Sequence, residues 1–318
     1  MARNMCGRAQ ERGQVRTRCA HLSSPPAVVH RIMHTKLIAC AILCAASAHA
    51  WAAPGTALTV SSTSVAPDEP VLVTVTGRGG EVPRGTANGT PLQFFPARSG
   101  YQAVFAVPLD AKAAPISIEV DSVKEPKMVD VRQVTFAETD VVVEDEMANP
   151  SKEDRARIDQ DNAAILAAVA KAKGEPQFAK VFRRPPGEVT SLFGVWRTFN
   201  DGHRSQHLGL DLFAREGSKV RAVNAGTVVL VRECFLAGNV VVVAHGAGLA
   251  SAYYHLSQPS VSEGDTVAQG DVIGLAGHTG RTTGPHLHLS MHVPGGMVDP
   301  AAFFKLKLAP AKPKLTAR

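Results

Sequence analysis

Cysteine is scarce in this sequence of 318 residues, and it is unevenly distributed. Four of the five cysteines, Cys6, Cys19, Cys40 and Cys44, precede residue 45, which leaves Cys234 alone in the rest of the chain. One thiol cannot form an internal disulfide, and it cannot build a closed zinc site made of cysteines. A site in the body of the chain must therefore use other side chains.

The sequence also lacks an excess of charge of either sign after residue 36. Residues 1–36 contain seven Lys or Arg and one acid, and the rest of the chain contains 27 basic and 27 acidic residues. No nucleic-acid partner is therefore expected. The tail 305–318 is the exception, since it has five basic residues and no acids. This composition predicts either contact with an anionic surface or a solvated end.

The apolar run after Lys36, LIACAILCAASA, is too short to span a bilayer and has the length of a signal-peptide core. The small residues of AHAWAA then allow cleavage after Ala50 or Ala52. We therefore predict that residues 1–52 are a signal peptide region, with translation starting at Met33. The mature protein is expected to be exported, with no stable membrane span.

Aromatic residues make up only 5% of the chain, whereas it has 27 Gly and 21 Pro, a balance that favours short strands joined by turns. Residues 53–137 alternate with period two, as at Val71, Val73 and Val75, and Asn88-Gly89 is typical of a hairpin. This pattern predicts a β-sandwich domain.

The chain changes character after residue 137. Residues 138–180 are predicted to be an acidic linker and a helix, which begins at the capping pair Ser151 and Asp154. Residues 181–304 return to short strands separated by glycine, and 305–318 form the basic tail. The expected fold is mainly β, with an N-terminal β-sandwich, a linking α-helix and a C-terminal antiparallel β-sheet domain.

Eight of the twelve histidines lie between His203 and His292. In HLGLDL, His207 and Asp211 alternate with three leucines, and in HLHLSMHV, His286 and His288 alternate with apolar residues in the same way. If both segments are strands, each buries an apolar face and turns metal-type ligands toward a cleft. Two imidazoles and one carboxylate fit a zinc site that keeps a position open for water.

Several motifs of this region resemble the LytM or lysostaphin-type peptidoglycan endopeptidases, the M23 metallopeptidases. The resemblance covers about Pro185 to Phe304, through SLFGVWRTFNDGHRSQHLGLDL, GSKVRAVNAGTVV, YYHLS, VSEGDTVAQGDVIG and GHTGRTTGPHLHLSMH. It implies that one Zn²⁺ per chain is bound by three residues and that two histidines are catalytic. The implied metal ligands are His207, Asp211 and His288, and the implied catalytic residues are His255 and His286.

The same resemblance implies a reaction and a location. The expected reaction is hydrolysis of a peptide bond in the stem peptides of peptidoglycan, in a Gram-negative periplasm or after secretion. The bond is expected to be the D-Ala to diaminopimelate cross-link. His286 is expected to be the general base for a zinc-activated water, with His255 stabilising the oxyanion. Asn200 and the loop 280–284 are expected substrate contacts, and Tyr253 is interpreted as a substrate or core residue.

Three alternatives remain open. Two histidines and a carboxylate also bind Fe(II) in non-haem oxygenases, although there the carboxylate more often stands two positions after the first histidine. The G-x-x-V repeats resemble biotinyl and lipoyl carriers, but no lysine lies at the tip of a matching hairpin. Within the M23 family, non-hydrolytic members activate wall amidases. Those members have lost ligands or catalytic histidines, and this sequence retains all five.

Overall fold

Short strands form most of the regular secondary structure in the computed structural model, which describes residues 55–77, 80–121 and 123–311. The predicted signal peptide region, its start at Met33 and the last seven residues of the tail lie outside the described residues. Within the described ranges, no helix combines the length and apolarity that crossing a membrane requires.

The N-terminal part consists of two small sheets. The strands are β1 (Ala57–Val60), β2 (Ser64–Val65), β3 (Pro70–Thr76), β4 (Gly85–Ala87), β5 (Thr90–Pro91), β6 (Phe95–Ala97), β7 (Gly100–Ala106), β8 (Ile116–Val120) and β9 (Lys127–Val131). One sheet is antiparallel and has the order β1-β3-β7-β6, and the other has the order β2-β9-β8-β4-β5.

Alternation along β3 places its residues on two faces. Val71 and Val73 are fully buried in the cluster between the two sheets, together with Ile118 and Val129. Leu72 points the other way, into a second cluster that is built mainly by C-terminal residues. The predicted hairpin at Asn88 and Gly89 is confirmed, since both residues have positive φ, as a type I′ turn requires.

A connecting segment follows, made of β10 (Glu138–Val141), α1 (Asp145–Ala148), α2 (Lys152–Val169) and a 3-10 turn (Ala170–Ala172). The predicted helix start is confirmed, because the Ser151 hydroxyl accepts the backbone N–H of Asp154. Strand β10 does not simply cross to the next domain. It pairs in parallel with β12 (Trp196–Phe199), so the connecting segment is part of a three-stranded sheet.

The C-terminal part is centred on a ten-stranded sheet in which β14, β21, β18, β17 and β16 are antiparallel neighbours. Its strands and those beside it are β11 (Val189–Ser191), β12, β13 (Arg204–Gln206), β14 (Leu210–Phe213), β15 (Lys219–Arg221), β16 (Gly226–Cys234), β17 (Gly238–Gly246), β18 (Leu249–Pro259), β19 (Thr266–Val267), β20 (Val272–Ala276), β21 (His286–Val293) and β22 (Gly296–Val298); helix α3 (Pro300–Phe303) follows.

Both faces of this sheet are covered. Helix α2 packs Ile165 and Ala168 against alternate residues of β17, among them Val240 and Val242, which are fully buried. Asp161 holds the helix there, because its carboxylate accepts the N–H of Phe235 at 2.8 Å and the Arg232 guanidinium at 2.8 Å. The opposite face contributes to the large core.

A row of phenylalanines joins the N-terminal sheets to this large core. Ring centroids are 5.3 Å apart between Phe95 and Phe178, 5.1 Å between Phe178 and Phe182, and 5.1 Å between Phe182 and Phe303. Each pair has the edge-to-face geometry that aromatic rings prefer. The expected fold class, mainly β with antiparallel sheets and a linking helix, is confirmed.

Candidate metal centre

The predicted ligand strands are direct neighbours. Strands β14 and β21 pair antiparallel with Asp211 opposite His288, so these two side chains lie on the same face of the sheet. The leucines that alternate with them are at most 4% exposed and fill the core behind the sheet; they are Leu210, Leu212, Leu287 and Leu289. The alternation read from the sequence is therefore present in the structure.

Three ligand-type atoms from these strands and the preceding loop meet at one point. His207 Nε2 lies 3.0 Å from Asp211 Oδ1 and 2.9 Å from His288 Nδ1, and His288 Nδ1 lies 2.8 Å from Asp211 Oδ1. All three residues are buried or nearly so. They form a group of side chains that can hold one metal ion.

Hydrogen bonds to the far side of each ligand fix its orientation. The Nδ1–H of His207 donates to the Leu192 carbonyl oxygen at 2.6 Å, so the Nε2 lone pair of the neutral ring faces the meeting point. Arg197 donates to Asp211 Oδ2 at 2.6 Å, which leaves Oδ1 facing His207 and His288. Such outer partners are characteristic of protein metal sites.

Protonation preferences also suit a cation. Burial raises the pKa of Asp211, but its contacts with His207 and His288 outweigh burial and hold that pKa well below its usual range. Burial lowers the pKa of His288 to about 4, despite its contact with Asp211. A carboxylate and neutral imidazoles are the forms that bind divalent metals. Their lone pairs converge in a buried space, and a cation satisfies them there, so the residues fit the implied zinc ion.

Gly209 makes this approach possible. A Cβ at this position would lie 2.5 Å from Nε2 of the His288 ring and 2.8 Å from the Leu289 carbonyl oxygen. Any side chain there would displace His288. The glycine between the two ligands of HLGLDL thus has a steric function that the sequence pattern alone did not reveal.

The two implied catalytic histidines face the same space. His286 Nε2 is 3.7 Å from Asp211 Oδ1, and the ring centroids of His255 and His286 are 5.0 Å apart. The Nδ1–H of His286 donates to the Gly284 carbonyl and that of His255 to the Thr279 carbonyl, each at 2.8 Å. In both rings Nε2 is therefore the nitrogen left free to face the cleft.

His255 has an unusual backbone. Its φ is +59°, in the left-handed region that few non-glycine residues adopt, and the pairing of β18 shifts register beside it. Burial, followed by the charges of His288 and His286, lowers the pKa of His255 to about 3. The irregular strand also changes which tyrosine faces the cleft.

Tyr253 is a core residue. It is fully buried, and its hydroxyl accepts the N–H of Val223 and the hydroxyl of Ser251. Tyr254 lines the cleft instead, with its ring 4.9 Å from that of His288. Of the two interpretations of Tyr253, the structure supports the core residue, because the irregular backbone of β18 at His255 turns Tyr254 toward the cleft instead.

The cleft that contains these groups has a volume of about 1000 Å³. Residues of β10 and of α2, including Val141 and Leu166, form part of its wall. Asn200, an expected substrate contact, instead bonds the connecting segment: its amide accepts the N–H of Val143 and donates to Asp145. Arg281, in the expected contact loop, does line the cleft.

Three other histidines of the described ranges lie outside the group of five. His245 is buried and bonds to the Ala225 carbonyl and to Ser251, as a core residue. His203 stacks on Phe199, and His278 lies near Glu216 on the surface. Arg197 was missed by the sequence reasoning because its contact with Asp211 joins strands of two different sheets.

Comparison with known proteins identifies relatives of this region. Residues 205–300 match the model of Peptidase family M23. The peptidoglycan DD-endopeptidase ShyA of Vibrio cholerae is 41% identical over 108 residues, which are 34% of this chain and 25% of that protein. The DD-carboxypeptidase/endopeptidase Mpg of Neisseria meningitidis is 41% identical over 96 residues, 30% of this chain and 22% of that protein. The matches thus span about a quarter of the length of these relatives.

A solved structure extends the likeness beyond the matched segment. A crystal structure from Pseudomonas aeruginosa described as a peptidase M23 aligns with a TM-score of 0.59 at 29% identity. The alignment covers 75% of this chain and 94% of that chain. The similarity of fold therefore includes more of the chain than residues 205–300.

Proposed function

We propose that this chain, which matches the model of Peptidase family M23 over residues 205–300, is an exported zinc endopeptidase that hydrolyses peptide cross-links of peptidoglycan. The observation that supports this proposal most is the convergence of His207, Asp211 and His288 in a cleft that two further imidazoles face. The names of both curated relatives agree with it.

The donor set supports a catalytic metal ion. His207 Nε2, Asp211 Oδ1 and His288 Nδ1 would hold one Zn²⁺ per chain, and bound zinc supplies a Lewis acid and a water of lowered pKa. Arg197 orients the Asp211 carboxylate, and Leu192 fixes the His207 tautomer. Iron is the alternative to zinc at this site. Metal analysis of protein purified without added metal decides between them, and stoichiometric iron with oxygen-dependent activity would favour an oxygenase.

The two remaining histidines are proposed to move protons. His286 accepts a proton from the attacking water at Nε2, because its Nδ1–H is engaged by Gly284. Its imidazolium then returns that proton to the nitrogen of the leaving amine when the C–N bond breaks. His255 faces the same space and is proposed to stabilise the oxyanion.

The wider assignments are proposals of the same kind. We propose residues 53–137 as the N-terminal β-sandwich domain, 138–180 as the linker and helix, and 181–304 as the peptidase domain. Export through residues 1–52 to the periplasm or beyond rests on the sequence alone. The bond proposed for cleavage is the D-Ala to diaminopimelate cross-link.

Digestion of purified sacculi tests the function directly. The mature protein, incubated with and without a chelator, should release uncrosslinked stem-peptide fragments only when metal is present, and their masses identify the bond. The second candidate function, non-hydrolytic activation of amidases, is disfavoured by the retention of all five site residues. It would be supported if no fragment appeared until an amidase was added.

A further inference from the structure

Arg281 is a positively charged residue of the cleft, and it has no role in the hydrolysis proposed above. It lies between β20 and β21 and lines the same cleft as His255 and His286. Its guanidinium carbon stands 4.1 Å from the centroid of the Phe199 ring. Within the described ranges, this guanidinium has no hydrogen bond and no ion pair with an acid.

The loop that carries Arg281 is held rigidly. The Arg281 N–H donates to the Leu236 carbonyl at 2.8 Å, and the Thr279 hydroxyl donates to the Leu256 carbonyl at 2.8 Å. Gly280 has φ of +74°, and a Cβ there would lie 2.4 Å from the Gly238 nitrogen. The guanidinium is therefore presented to the cleft from a backbone that is already ordered, which reduces the entropy lost when a ligand binds.

The surroundings favour an anionic ligand. Burial and the nearby charge of Arg197 both lower the pKa of Arg281, and Asp201 opposes them without forming an ion pair. Arg197 itself is already paired with Asp211. A half-buried guanidinium without a counterion loses hydration without compensation, and an arriving carboxylate supplies the missing partner in the bidentate geometry that arginine prefers.

We propose that Arg281 binds a free carboxylate of the peptide substrate, on the residue that provides the nitrogen of the scissile bond. This inference rests on the proposed function. In a D-Ala to diaminopimelate cross-link, the carbon beside the acylated nitrogen bears a free carboxylate, whereas an internal residue of a glycine bridge has none. Arg281 thereby selects diaminopimelate-type cross-links that retain this acid.

Two matched substrates test this selection. One is a purified cross-linked muropeptide dimer with the free diaminopimelate carboxylate, and the other is the same dimer with that group as a carboxamide. For the wild type, kcat/KM should be about 10–100-fold higher for the acid, as expected for loss of one charged hydrogen-bonded pair. In Arg281→Gln this ratio should fall to about one, through loss of activity on the acid alone.

The ratio is measured within each protein, so it does not depend on how much of a variant folds. Arg281→Lys keeps the charge without the planar fork and should give an intermediate ratio. Arg221→Gln is the matched control, because it removes an arginine on β15 that does not line the cleft, and it should retain the wild-type ratio. Equal turnover of acid and amide by the wild type, or an unchanged ratio in Arg281→Gln, would overturn the proposal.

A binding measurement separates this proposal from the proposed function. Calorimetry with the His286→Ala protein, with and without Arg281→Gln, should show that only the chain with Arg281 binds the acid more tightly than the amide. If the wild type hydrolyses neither dimer but this preference in binding appears, the hydrolase function fails and the carboxylate site stands. If hydrolysis occurs without any preference, the carboxylate site fails and the function stands.

Discussion

At the scale of single residues, the site separates side chains that face the meeting point from side chains that orient them. His207, Asp211 and His288 bring their ligand atoms within 3.0 Å of one another, whereas His286 has its nitrogen 3.7 Å from Asp211. The first three residues should therefore be needed for metal binding, and His286 should be needed for the hydrolysis step.

Substitution of the two kinds of histidine should separate these roles. His286→Ala should retain the metal and lose about 10²–10⁴-fold in kcat, the usual contribution of a general base. His207→Ala should lose both metal and activity, because it removes one of three ligands. Metal content and turnover measured on the same samples check this, and near-normal turnover in His286→Ala would remove His286 from the mechanism.

Arg197 should tune the metal site without touching the metal. Because it holds Asp211 Oδ2 at 2.6 Å, Arg197→Gln should weaken metal affinity by about 10–100-fold, the usual effect of losing an outer partner. Competition with a chromophoric chelator measures this affinity. Arg204→Gln, which breaks an exposed ion pair with Glu138, is the control, and an equal loss there would mean that the effect is unspecific.

The residue scale also shows what sequence could and could not predict. Strand alternation placed Asp211 and His288 correctly on one face, because a regular strand has only two faces, whereas His207 reaches the site from the loop before β14. The choice between a substrate and a core role for Tyr253 could not be made from the sequence, since the positive φ of His255 breaks that regularity. The pairing of Arg197 with Asp211 joins strands of different sheets, and no local pattern encodes it.

At the scale of elements, the connecting segment does more than link the N-terminal and C-terminal parts of the chain. Strand β10 adds to the sheet beside the cleft, and α2 packs on the ligand-bearing face of the large sheet and reaches the cleft wall. The sequence predicted the helix from its cap and spacing. Its docking could not be predicted, because it depends on Asp161 meeting Phe235, far away in the chain.

Removal of this anchor should destabilise the protein. Asp161→Ala leaves the Phe235 N–H and the Arg232 guanidinium without their buried acceptor, so the free energy of unfolding should fall by about 1–3 kcal/mol. Chemical denaturation followed by circular dichroism measures the loss. Asp159→Ala, an exposed position on the same helix, is the control; an equal loss in both variants would contradict the anchoring role.

At the scale of the whole molecule, one hydrophobic cluster includes residues from both ends of the described chain. Leu72 and Phe95 of the N-terminal sheets belong to the same cluster as Leu289 and Phe303. Composition and periodicity predicted strands in both regions but could not predict this shared core, because contacts between distant segments leave no periodic signal.

Truncation of one ring in this core should therefore affect the entire described fold. Phe95→Ala should lower the free energy of unfolding by about 3–5 kcal/mol, the usual cost of removing a buried phenylalanine ring. Unfolding of the variant should remain a single transition, whether it is followed by circular dichroism or by release of bound metal. Two separate transitions would contradict a shared core.

The most direct test of the account is the rate of cross-link hydrolysis as zinc is added back to metal-free protein. Because His207, Asp211 and His288 form one site, the rate should rise in proportion to the zinc added and reach its plateau at one equivalent per chain. Hydrolysis by the metal-free protein, or no hydrolysis at any zinc concentration, would contradict it.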